Sequence, residues 1–228
     1  MDNTTYKLSP SDFAYLWEEC KHCYYQKVVN KIYAPGIFPS MFTRINGLLQ
    51  NSIMGKNLQE VHPALPDGII ETQEGWVESQ LIPGTKCYIG GRFDILSRRP
   101  DGTFTIIDFK ITTPDENKIQ KYASQLHAYK YAFENPKEGT PIKISHMGIV
   151  SVNPDAMELK NGKIVFTTTP NWHPVEEKME DFYGLVREIS KVLSSGVPEE
   201  STTCNSCVYR SKFTIKSSNE SSDGMLPF

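Results

Sequence analysis

Two carboxylates and an ammonium stand where they could hold a metal ion against a phosphate ester. Asp94 closes the run Gly91-Arg92-Phe93-Asp94, and Asp108 and Lys110 lie in Ile106-Ile107-Asp108-Phe109-Lys110. Between them Arg99-Pro100-Asp101-Gly102 is a strong turn signal, so an antiparallel hairpin is expected, with the carboxylates at the strand ends. Hard oxygen ligands so placed suit Mg²⁺ or Mn²⁺, ions that also take up phosphate and water. Alternation puts Asp108 and Lys110 on one strand face, where the lysine can point at the phosphate or at a metal-bound water. A solvated hairpin would show the same D-x-K pattern. Against that stands the apolar run around Asp108, in which an unpaired carboxylate is costly.

The second constellation is soft. Of five cysteines, four form the pairs Cys20-Lys21-His22-Cys23 and Cys204-Asn205-Ser206-Cys207 near opposite ends of the chain. With no secretion signal in view, such spacing favours metal ligation over disulfides. Four thiolates can take Zn²⁺ or a 4Fe–4S cluster, and either would staple the N-terminal helix to the C-terminal segment. Cys87, inside an expected strand, reads as a small buried hydrophobe.

Several elements must position these groups. Ser9-Pro10-Ser11-Asp12 reads as a helix start, with Ser9 as N-cap and Pro10 at the first helical position. An aromatic, basic segment covers 23–32, and after Pro35-Gly36 and Pro39 a helix is expected over 41–54, with Ile45, Leu48, Leu49 and Ile53 on its apolar face. Strands are expected over 75–82, 86–96, 103–110 and 142–152, with a short pair in 157–168. Helices are expected over 115–133 and 176–193. In the first of these Gln125 and Tyr129 share a face at i and i+4.

At 228 residues and 39% hydrophobic content the chain suits one domain over 1–215, followed by a disordered tail over 216–228. A net charge of −3 gives no global sign of a nucleic-acid binder, although a locally basic cleft would suffice. No apolar run approaches the roughly 18 residues of a membrane span, and the polar N-terminus lacks a signal-peptide layout. A cytoplasmic or nucleoid-associated protein that does not enter membranes is expected.

The order G-x-x-D, D-F-K, Q-x-x-x-Y, from Gly91 through Tyr129, resembles the motif set of the RecB-like exonuclease branch of the PD-(D/E)XK nuclease superfamily, and the resemblance runs from about Leu8 to Cys207. Leu8 through Tyr25 is similar to the N-terminal segment of that branch, and Trp76-Val77-Glu78 to the strand before its G-x-x-D. The resemblance implies an α/β fold, a central mixed β-sheet flanked by helices in a restriction-endonuclease-like core, with the chain ends joined by the four-cysteine site. It implies Asp94, Asp108 and the Phe109 carbonyl as ligands of Mg²⁺ or Mn²⁺, Lys110 as catalytic lysine, and Gln125 and Tyr129 along the DNA path. It implies a metal-dependent DNA nuclease, foremost an exonuclease, in recombination, repair or phage-type DNA processing. A catalytically weak nucleic-acid-binding or assembly subunit is the rival reading.

Two departures mark this chain. Where the family carries a histidine on the metal, Gly47-Leu48-Leu49-Gln50 offers the weaker amide ligand Gln50. His62, His127, His146 and His173 are assigned to packing or surface. Iron–sulfur members of the family use one N-terminal and three C-terminal cysteines, whereas here the split is two and two. The resemblance favours a 4Fe–4S cluster on Cys20, Cys23, Cys204 and Cys207, with Zn²⁺ the alternative. The terminal Asp223-Gly224-Met225-Leu226-Pro227-Phe228 is similar to docking tips that bind replication or recombination proteins.

Overall fold

Alternation along one strand organises the molecule. In β6 (Phe104–Ile111), Phe104 and Ile106 join the larger hydrophobic core, and Ile107 and Phe109 join a smaller core on the opposite face. Asp108 and Lys110 continue the row of Phe104 and Ile106 and so face the larger core's side at the strand's C-terminal end. Burying one such isoleucine contributes about 1.5–3 kcal/mol, and a one-residue slip would turn the whole row over.

The computed structural model describes residues 4–33, 40–113 and 116–220, with 116–118 and 213–220 by backbone alone. Before β6 come β1 (Tyr6–Leu8), β2 (Ile69–Gln73), β3 (Trp76–Leu81), β4 (Cys87–Arg92) and β5 (Ile95–Arg98). After it come β7 (Ile144–Val152), β8 (Pro154–Lys160), β9 (Lys163–Thr168) and β10 (Asn171–Pro174). A five-stranded sheet runs β10-β7-β6-β5-β2, parallel only between β6 and β7. A smaller sheet runs β1-β4-β3, and β8 and β9 form an exposed hairpin turned at Asn161-Gly162, both at positive φ.

The helices are α1 (Pro10–Asp12, running into a π-helical turn Phe13–Trp17), α2 (Lys21–Val28), α3 (Ser40–Ile53) and α4 (Leu58–Val61). They continue with α5 (Glu116–Glu134), α6 (Met179–Ser194) and α7 (Asn205–Glu220). Parallel β6 and β7 require a crossover, which α5 supplies. Its Tyr122, Leu126, Tyr129 and Tyr131 close over the larger core, and α6 adds Phe182, Val186 and Ile189. This is the expected α/β architecture with a central mixed sheet.

Four expectations change. The strand expected over 86–96 is two strands in different sheets, broken at Phe93-Asp94. Phe93 is buried there, and the two main-chain bonds Phe93 N–H to Gly75 O (2.9 Å) and Glu74 N–H to Asp94 O (2.8 Å) hold the break. On α3, Ile45 and Leu48 are exposed rather than core, while Gln50 is fully buried beside Ile53. Residues 216–220, expected as tail, belong to α7. β1, β2, β10 and α7 were not anticipated; the turn at Pro35-Gly36 and Pro39, Asp115 and the tail tip lie outside the described residues.

Candidate active site

Asp94 owes its orientation to the strand break. Leaving the β4 direction, it turns toward β6, where the Phe109 N–H donates to its Oδ2 at 2.8 Å. Gly91, three residues earlier, is a close approach: a Cβ there would lie 2.7 Å from Pro10 Cδ. The glycine of G-x-x-D thus lets the N-terminal helical segment pack onto β4.

Asp108 is buried, and each of its oxygens has a partner. Gln125 Nε2 on α5 donates to Oδ1 at 2.8 Å, and Lys110 Nζ lies 2.6 Å from Oδ2. Lys110 also sits over the ring of Tyr122 (4.9 Å to the centroid) and near that of Tyr15 (6.0 Å), whose hydroxyl donates to that of Tyr122. One turn on from Gln125, Tyr129 donates its hydroxyl to the Arg92 carbonyl at 2.5 Å, tying α5 to the strand that leads into Asp94. Gln125 and Tyr129 are therefore buried braces of the site as well as part of its wall.

Two carboxylates and one ammonium set the electrostatics of the site. Burial first, then the neighbouring Asp108 charge, pushes Asp94 up to about 8, against the pull of Lys110 and the Phe109 N–H. Burial pulls Lys110 down, but Asp108, Tyr15 and Asp94 outweigh it and hold the ammonium above the ordinary lysine range. Lys110 is thus a cation and a donor at neutral pH. Burial likewise raises Tyr15 and Tyr129, which stay protonated.

Gln50 is brought to this neighbourhood through Glu74, a residue the sequence reading missed. Gln50 Nε2 donates to Glu74 Oε1 at 3.1 Å, while its own Oε1 is buried with no hydrogen-bond partner. Glu74 occupies a left-handed turn (φ 50°) and adds to the negative charge felt by Asp94. Its signal was the Glu-Gly pair at the start of the strand expected over 75–82. Tyr15 and Tyr122 were also missed, because an aromatic at helical spacing reads as core. Hard oxygens, two neighbouring carboxylates of which Asp94 is raised by burial and by Asp108, and an orphaned amide oxygen together fit a divalent ion. A cleft of about 590 Å³ opens onto Asp94, Asp108 and Lys110, and Lys7, Lys27, Lys31 and Arg92 line it. A second, of about 580 Å³, reaches Asp94 and Lys110 from the side of α3.

The four paired cysteines form a separate centre. Cys20 caps α2, its sulfur accepting the Cys23 N–H at 3.4 Å, and Cys204 precedes α7, whose first turn carries Cys207. Sγ–Sγ distances are 3.6 Å for Cys20–Cys207 and 3.7 Å for Cys23–Cys204 and Cys23–Cys207. Burial pushes Cys20 and Cys23 up. At Cys204 burial is outweighed by N–H groups of Cys207 and Ser206, and its thiol is lowered. Cys87 lies apart, fully buried in β4, its thiol pushed up to about 11 by burial. His127 is a packing histidine: its Nδ1 contacts the Ala123 carbonyl at 2.6 Å and its Nε2 accepts the Lys178 N–H at 2.8 Å.

Two solved structures align with most of the chain. The solved structure of SSO0001 aligns over 92% of this chain and 85% of its own, at 15% identity and a TM-score of 0.46. An alkaline exonuclease, LHK-Exo, from Laribacter hongkongensis aligns over 95% and 93%, at 12% identity and a TM-score of 0.37. No curated protein matches the chain. The model of the PD-(D/E)XK nuclease superfamily matches residues 41–212, well over half of the sequence and inclusive of Asp94, Asp108, Lys110, Gln125 and Tyr129. On that match this chain belongs to the PD-(D/E)XK nuclease superfamily.

Proposed function

We propose that the protein is a Mg²⁺- or Mn²⁺-dependent deoxyribonuclease, acting as an exonuclease in DNA repair, recombination or phage-type DNA processing. The observation that carries this reading is the Lys110–Asp108 ion pair at 2.6 Å beside Asp94, at the edge of a lysine-lined cleft. Asp94 and Asp108 would hold the metal, with the Phe109 carbonyl and the Gln50 amide oxygen as further donors. A bound divalent ion supplies Lewis acidity and a water of lowered pKa. Lys110, kept protonated, would donate to a phosphate oxygen of the substrate and offset charge as the phosphodiester is attacked. Gln125 and the Phe109 N–H fix the two carboxylates, so the ligands are oriented before substrate arrives. Lys7, Lys27, Lys31 and Arg92 supply phosphate contacts despite the net charge of −3.

Gln50 favours a second reading, a subunit that binds DNA and cuts weakly, since an amide holds a cation less firmly than an imidazole. The two readings part on one experiment. Linear and covalently closed circular DNA are incubated with the purified chain and Mg²⁺ or Mn²⁺. An exonuclease degrades the linear form to products with 5′-phosphates and spares the circle. Cutting of the circle would overturn the exonuclease assignment, and retention of both without cutting would favour the binding subunit.

A further inference from the structure

The sulfur spacing of the four-cysteine centre separates two metals that the residue types alone do not. The one-letter pattern suits either zinc or a 4Fe–4S cluster, and the resemblance stated above implies the cluster. The two demand different frames. Four thiolates on one Zn²⁺, each about 2.3 Å away, stand at the corners of a tetrahedron with edges of about 3.8 Å. In a cluster each cysteine binds a different iron of a cube, and the four sulfurs stand roughly 6 Å apart. Here three sulfur pairs measure 3.6, 3.7 and 3.7 Å, and all four sulfurs lie within 4.8 Å of one another. A cube of four irons and four sulfides does not fit inside that frame. One cation does.

We propose that Cys20, Cys23, Cys204 and Cys207 form a structural Zn(Cys)₄ centre that pins α2 to the start of α7, and that this chain carries no iron–sulfur cluster. Cys20 and Cys207 are buried, and each of the four gives one sulfur, so the coordination is closed, as suits a structural zinc. Loading exchanges four thiol protons for one Zn²⁺ and leaves a net charge of −2 on the centre. Donors meet that charge. Arg210 Nη2 lies 3.5 Å from Cys207 Sγ and 3.8 Å from Cys23 Sγ. Main-chain N–H groups point at Cys20 and Cys204 from the first turns of α2 and α7. A disulfide reading is less apt: Cys23 is about equally near Cys204 and Cys207, so the sulfurs form a cluster rather than two couples.

The inference stands apart from the nuclease reading, since metal content is measured without substrate. The full chain is produced with iron and zinc both supplied, purified anaerobically, and assayed by elemental analysis and visible absorbance. We expect about one zinc per chain, no thiolate-to-iron absorption, and four thiols released to titration when the zinc is removed. Replacing zinc by Co²⁺ should give the ligand-field bands of a tetrahedral tetrathiolate. Cys204→Ser should lose most of the zinc. Should that variant fail to fold, Cys204→His, which keeps a fourth ligand, should retain zinc, and Cys87→Ser should retain it in full. About four irons per chain with visible absorption, a metal-free chain of unchanged stability, or two disulfides in the freshly purified protein would each overturn the proposal.

Discussion

Replacing Asp94 by asparagine should stabilise the metal-free protein while abolishing its activity. Asparagine keeps an oxygen for the Phe109 N–H, which bonds the aspartate at 2.8 Å, but removes a charge that the fold disfavours. In the folded chain Asp94 is pushed up to about 8, against about 4 for an ordinary aspartate. Because the folded value is the higher one, its contribution to stability is fully present below pH 4 and is lost as pH rises through 8. The upper limit of that loss is about 5 kcal/mol, from the distance between the two values. Local relaxation and water entry reduce the effect to about 2 kcal/mol, or about 4–8 °C for a chain of this size. Thermal denaturation at pH 4 and pH 8, in buffer without divalent cations and without chelator, measures it. Asp94→Asn should match wild type near pH 4 and exceed it increasingly toward pH 8. Millimolar Mg²⁺ should raise the wild type at pH 8 and leave the variant unmoved. An Asp94→Asn chain less stable than wild type at pH 8 would refute the electrostatic account.

Further variants probe the supports. Gln125→Leu leaves Asp108 Oδ1 without its 2.8 Å donor, and should cost about 2 kcal/mol in denaturant unfolding and lower the nuclease rate. Unchanged stability there would mean that Gln125 is not a brace. Gly91→Ala places a methyl 2.7 Å from Pro10 Cδ, and should destabilise by about 1–3 kcal/mol as the helical segment shifts off β4. Gln50→His should tighten Mn²⁺ binding in a fluorescence or calorimetric titration, since imidazole is the stronger ligand; no change would place the side chain away from the metal.

Asp108 and Lys110 were legible because a strand has period two, and no other feature of the fold could separate them to opposite faces. The cysteine pairs were legible by their spacing, which survives any fold that brings the chain ends together. Asp94 was legible as a residue but not in its geometry, since its orientation comes from a break held by bonds to the distant Gly75 and Glu74. Glu74 itself was hidden, a lone acidic residue whose left-handed turn places it beside Gln50. Ile45 and Leu48 misled because helical periodicity reports which face is apolar, not whether anything covers it. The short strands β1 and β10 depend on pairing with β4 and β7, a tertiary effect that local sequence does not carry.

The central claim is that Asp94, Asp108 and Lys110 hydrolyse DNA through a bound divalent ion. Digestion of end-labelled single- and double-stranded DNA with Mg²⁺ or Mn²⁺, by wild type beside Lys110→Ala, tests it most directly. Release of labelled nucleotides by the wild type, dependent on the metal and lost in a folded Lys110→Ala that keeps its cysteine-bound metal, is the predicted result. Wild-type release by Lys110→Ala, or none from either chain at any divalent ion concentration, would contradict it.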